Sequence, residues 1–107
     1  MNNNFKEIRR TKQILTIDEC YDVLDNEPRG VLSINSDNGY PYGMPLNHYF
    51  SKDENRLYFH GGKDGYKIDC LKKNNKCSYT VMKQINISDN GWSYIYHSVI
   101  IFGEIHL

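Results

Sequence analysis

The chain lacks most of the features that reveal a function by composition alone. Thirteen basic residues are offset by thirteen acidic ones, so no net charge draws it to nucleic acid or to an anionic membrane surface. Its three cysteines, Cys20, Cys70 and Cys77, are odd in number and contain no CxxC pair. That spacing gives no zinc site and no disulfide framework, and reduced thiols in a cytoplasmic protein are the expectation. No apolar run approaches the roughly 20 residues that cross a bilayer. The opening MNNNFKEIRR has no apolar segment of the kind a secretory leader needs. Repeats and low-complexity linkers are also absent. The 107 residues are therefore read as one domain, residues 1–107, large enough to bury about two-thirds of its unfolded surface without staples.

What the chain does have is aromatic residues: nine tyrosines, four phenylalanines and one tryptophan, a composition that favours strands and binding surfaces. Residues 1–15 are polar, with Arg9, Arg10 and Lys12 as a small basic knot on a surface arm. Thr16-Ile17-Asp18-Glu19 is a capping box that starts a helix. Ile17, Cys20, Tyr21 and Leu24 then supply one apolar face, and the segment from Asn26 to Pro28 ends it. Residues 30–35 (GVLSIN) read as a strand, Asp37-Asn38-Gly39 as a tight turn, and residues 40–50 as the returning strand. Pro41 and Pro45 cannot donate to a ladder, so that strand is expected to be irregular, bulged or exposed along one edge. Residues 56–60 pair back to complete a meander. A helix over residues 65–73 crosses over to a fourth strand at 77–82. A polar loop (83–91) precedes a long fifth strand at 92–107, in which Gly103 marks a bend or bulge. Short strands, tight turns and two helices indicate a small closed or partly open β-barrel.

Residues 57–71 (LYFHGGKDGYKIDCL) carry the strongest chemical signal. A strand breaks at Gly61-Gly62, and a helix starts a few residues later. Lys63 and Lys67, four apart, project to one side. Strand, paired glycines, lysines and helix start together present backbone N–H groups and positive charge, which suits an anion such as phosphate. A plain tight turn followed by a solvated lysine face is the competing reading of this stretch alone. The four histidines, His48, His60, His97 and His106, show no metal-type clustering and read as structural or exposed, with His60 equally open to a donor role.

Three blocks, GYPYGMPLNHYF, LYFHGGKDGYKIDCLKKNNKCSYTV and YHSVIIFGEI, in this order and spacing, resemble the FMN-binding split-barrel proteins of the pyridoxamine-5'-phosphate-oxidase-like superfamily. Within it the nitroimidazole-resistance branch is the closest match. The resemblance implies a mainly β, antiparallel split β-barrel with an N-terminal helix and a crossover helix, lacking the family's C-terminal segment. It implies FMN as cofactor, bound at the interface of a homodimer, and an oxidoreductase acting on a small molecule such as a nitroaromatic. A non-catalytic flavin- or haem-binding module is the alternative. Met44, Pro45, Leu46 and Asn47 would lie along the flavin ring. His60, Gly61, Gly62, Lys63 and Lys67 would hold the phosphate, with His60 also taking a catalytic, substrate-side role. Trp92, Tyr94 and Tyr96 are read as barrel wall or dimer core, or else as residues stacking on the partner's flavin.

Overall fold

The structure, a computed structural model, describes residues 15–62, 64–87, 91 and 94–107. Two helices and five strands follow in the order α1 (Ile17–Asn26), β1 (Arg29–Asn35), β2 (Pro41–Ser51), β3 (Arg56–Phe59), α2 (Tyr66–Lys73), β4 (Lys76–Ile87) and β5 (Tyr94–Glu104). All pairings are antiparallel, and the sheet order is β3-β2-β1-β4-β5. The meander β1-β2-β3 forms one half, α2 crosses over, and the β4–β5 hairpin docks on the other side of β1. No helix among the described residues is long and apolar enough to cross a membrane.

Local chemistry sets the boundaries. The Glu19 N–H donates to the Thr16 hydroxyl at 3.2 Å, and the Thr16 N–H donates to the Glu19 carboxylate at 2.9 Å. This closes the capping box and pulls the Glu19 carboxyl below its usual range, through the bond to the Thr16 backbone first and the hydroxyl second. Gly39 at φ 86° makes the β1–β2 turn, where a side chain would be strained.

Alternation along the strands sorts the two faces. Leu32 and Ile34 of β1, Phe50 of β2, Tyr79 and Val81 of β4 and Val99 of β5 are buried on one face. Both helices pack there, α1 through Val23 and Leu24 and α2 through Cys70 and Leu71. On the opposite face, cross-strand partners run Pro45–Val31–Thr80–Ile100. That face is apolar and exposed: Ile100 is 59% accessible, Phe102 60% and Met82 56%.

One tyrosine ties the layers together. The Tyr79 ring lies across β1 at Gly30, where a methyl group would come within 2.5 Å of its Cζ. Its hydroxyl is 2.6 Å from His48 Nδ1 and 3.3 Å from the Leu46 carbonyl oxygen, to which it can donate. The His48 Nε2–H donates to the Leu24 carbonyl in α1 at 2.9 Å. Burial pushes the Tyr79 phenol up to about 12.

The strands differ from the sequence expectation in four places, one being that β5 ends at Glu104 and not at Leu107. β3 stops at Phe59, leaving His60 outside the ladder. β4 does not give way to a loop at Lys83 but continues to Ile87. It does so because β5 is long enough to pair with it, with a bulge between Gln84 and Asn86. Lys83 is further anchored to Asp22 of α1 at 3.1 Å. Gly103 pairs in register with Cys77, so the irregularity expected there lies in β4 instead.

Candidate functional site

The ladder of β2 is one-sided over much of its length. β1 pairs with residues 41–47 of β2, but β3 pairs only with residues 48–51. Among the described residues, no strand covers the other edge of residues 41–47. The direction of its backbone groups follows from one bond: the His48 N–H donates to the Pro28 carbonyl, just before β1, at 2.8 Å. Backbone groups alternate sides along a strand. Even-numbered β2 residues therefore point their N–H and C=O at β1, and odd-numbered ones point theirs at the open edge. Pro41 and Pro45, the two residues with no N–H, both fall on the open edge, so neither removes a ladder bond. The strand is regular and edge-exposed rather than bulged.

This parity separates the four ring-side residues expected from the sequence. Asn47 offers an N–H and a carbonyl to the open edge, and Pro45 offers a carbonyl. Met44 and Leu46 turn their backbone groups into the β1 ladder and pack their side chains on the core. Gly43, which sequence reasoning did not single out, has the parity to offer both groups outward. The signal was available in the proline spacing, since Pro41, Gly43, Pro45 and Asn47 share one parity.

The described residues expected at the phosphate gather where β3 ends. His60 follows the last paired residue of β3, Phe59, whose partner is His48. The chain thus leaves the sheet beside Asn47. His60 is exposed. Gly61 and Gly62 are exposed too. Lys67 folds back from the first turn of α2 so that a methyl group on Gly61 would lie 3.0 Å from its Nζ. Lys63 lies outside the described residues, as do Arg9, Arg10, Lys12 and Trp92, and the Tyr94 side chain is likewise not described. Tyr96 is exposed on the outer sheet face, not on the α2 side.

The start of α2 completes the cluster. Its N-cap, Gly65, sits at φ 116° and supplies no side-chain cap. The first backbone N–H groups of the helix are therefore open to an incoming acceptor. The helix is held from the other side. Tyr66 donates its hydroxyl to Asp37 on the β1–β2 hairpin at 2.6 Å, and its ring meets Tyr42 at 5.7 Å. The open edge of β2 is thus flanked by Asn47, His60 and Gly61 at one end and by Tyr42 and Tyr66 at the other.

Two surface hollows lie elsewhere. One of about 510 Å³ runs between α1 and the β4–β5 hairpin, and one of about 410 Å³ sits beneath the end of α2. Neither is lined by the residues above. An open sheet edge is a flat wall and makes no enclosed cavity within one chain. Among the described residues no group of three or more His, Cys, Asp or Glu side chains could hold a metal.

A curled, antiparallel five-stranded half-barrel with an N-terminal helix and a crossover helix defines a split β-barrel protein. Residues 16–107 match the family described as pyridoxamine 5'-phosphate oxidase, and the chain belongs to that family. Among solved structures, a candidate 5-nitroimidazole antibiotic resistance protein from Bacteroides thetaiotaomicron is 25% identical, with a TM-score of 0.73 over 85% of this chain and 55% of its own. A FAD-binding protein from Mesorhizobium loti is 29% identical, with a TM-score of 0.67 over 84% and 58%. A FAD and heme binding protein from Mycobacterium smegmatis, 22% identical with a TM-score of 0.66 over 83% and 44%, shares the fold. The chain thus spans little more than half the length of the first two relatives. No curated protein matches significantly.

Proposed function

We propose that the chain binds flavin mononucleotide along the open edge of β2 and acts, as a homodimer, as an oxidoreductase on a small acceptor such as a nitroaromatic. The observation that carries this reading is Lys67 folded over Gly61, at the point where a strand ends and an uncapped helix begins. A cradle without a Cβ, an adjacent ammonium group and open helix-start N–H groups fit a phosphate carrying close to two negative charges. Family membership and the FAD-binding description of one relative support a flavin as the ligand.

Bound flavin supplies hydride or single-electron chemistry; the chain supplies position. Lys67 neutralises the phosphate. The N–H and carbonyl of Asn47 and the carbonyl of Pro45 face the ring's polar edge and fix its register. His60, exposed at the end of β3, stands on the substrate side and can carry a proton. The apolar outer face, with Val31, Met82 and Ile100, gives a second copy a surface to bury and so to exclude water from the bound ring.

The test is a visible spectrum of purified protein followed by titration with FMN and with riboflavin, which lacks the phosphate. Tight uptake of FMN is expected. Loss of a charge-assisted bond of about 1.5–3 kcal/mol predicts that Lys67→Ala weakens FMN about tenfold or more and leaves riboflavin unchanged. Colourless protein that takes up no added FMN refutes the reading.

A further inference from the structure

Asp37 lies far from residues 57–71 in sequence, yet it holds both ends of the helix that starts the cradle. Its Oδ1 accepts the Tyr66 hydroxyl at 2.6 Å, and its Oδ2 accepts from Lys73 Nζ at 3.4 Å. Tyr66 is the first residue of α2 and Lys73 the last. We propose that Asp37 is a positioning residue for the phosphate end of the cofactor site, setting where the first turn of α2, and with it Lys67, stands. This rests on the FMN reading above.

The physical need for such a clamp is evident in α2 itself. Eight residues are too few for a helix to persist on its own propensity. Gly65 gives it no side-chain cap, and the approach through Gly61 and Gly62 gives it no stiff lead-in. Burial of Ile68, Cys70 and Leu71 fixes one face of the helix against the core, but Tyr66 and Lys67 lie upstream of those anchors. Asp37 supplies the missing constraint from a rigid base. It sits on a tight hairpin in which the Ser36 hydroxyl meets Asn38 Oδ1 and the Tyr40 carbonyl, and the Tyr40 N–H donates to Asn38 Oδ1 at 3.1 Å. The Asp37 carboxyl is held below its usual range, by the Tyr66 hydroxyl first and Lys73 after it, so it is ionised at neutral pH. Pairing with a hydroxyl and an ammonium offsets a charge that would otherwise oppose an anion nearby.

The experiment compares affinities for FMN and riboflavin in five proteins: the unsubstituted chain, Lys67→Ala, Asp37→Ala, Tyr66→Phe and the Asp37→Ala/Tyr66→Phe double variant. Tyr66→Phe keeps the ring against Tyr42 and loses only the hydroxyl. Asp37→Ala and Tyr66→Phe are each expected to weaken FMN about fivefold, the scale of one exposed charged contact, with riboflavin unchanged. The double variant should be no worse than Asp37→Ala alone, because that substitution already removes the bond to Tyr66. A merely structural role would weaken both ligands alike. Equal losses for both ligands, or no loss, with Lys67→Ala still selective for FMN, overturns the clamp and leaves the cradle standing. If Lys67→Ala is also without selective effect, the cradle falls and the clamp with it.

Discussion

Gly30→Ala should be among the most damaging single-methyl additions in this chain. The new Cβ would stand 2.5 Å from Tyr79 Cζ, 2.6 Å from the Thr80 carbonyl oxygen and 2.7 Å from the Tyr79 hydroxyl. The first and third of these can be relieved by swinging the ring away. The second cannot, because Thr80 is backbone within the β1–β4 ladder. Overpacking of this kind costs about 1–3 kcal/mol. Swinging the ring away also separates its hydroxyl from His48 Nδ1 and the Leu46 carbonyl, two acceptors that share its one hydrogen, at about 1 kcal/mol for the part-buried bond. The sum is roughly 2–4 kcal/mol, or a melting temperature lower by roughly 8–16 °C for a domain near 100 residues. Thermal and urea denaturation followed by circular dichroism would measure it. Tyr79→Phe is the control: it keeps the ring, loses the hydroxyl, and should cost about 1–2 kcal/mol. A Gly30→Ala protein that melts within about 3 °C of the unsubstituted chain would refute the claim that the ring needs the bare backbone at Gly30.

Other outcomes follow from the same structure. Leu32→Ala empties a buried core position and should cost about 2–5 kcal/mol in urea denaturation. In the proposed homodimer, Ile100→Asp on the exposed face should leave the monomer's melting nearly unchanged but bring the mass in solution from twice 12.6 kDa to the single-chain value by light scattering. The Glu19 and Asp37 carboxyls both sit below their usual values in the fold. Their contribution is present above the ordinary carboxylate range and is lost as pH falls through the lowered folded values. Glu19→Gln should therefore flatten the acid limb of the stability–pH curve. The raised phenol of Tyr79 has the opposite sign: its contribution is complete below about 10 and disappears as pH climbs toward about 12, and Tyr79→Phe should remove that alkaline loss.

Much of the fold was legible because its signals are local. Thr16 and Glu19 are three residues apart and cap a helix in any context, and Asp37-Asn38-Gly39 turns a hairpin on its own geometry. The meander and the crossover helix follow from such punctuation. The extension of β4 was not legible, since Lys83, Gln84 and Asn86 are polar and become strand only through partners in β5. The role of His48 was equally hidden: its bonds reach Leu24 and Tyr79, 24 and 31 residues away. For the candidate site, the lysine and glycine pattern singles out residues 60–67, but the parity that separates Asn47 from Leu46 depends on which neighbour claims each side of β2. The link from Asp37 to Tyr66 spans 29 residues and leaves no periodic trace in the sequence.

The placement of Pro41 and Pro45 has one more consequence. An exposed sheet edge normally invites a stray chain to zip on, which is how soluble proteins begin to aggregate. Here two of the outward donors are missing, so a would-be extra strand meets carbonyls at alternating outward positions with nothing to bond in return. The border stays unattractive to other polypeptides while it remains accessible to a flat molecule that brings its own hydrogens. Restoring both amides by replacing the prolines should make the same border a better template for a stray strand.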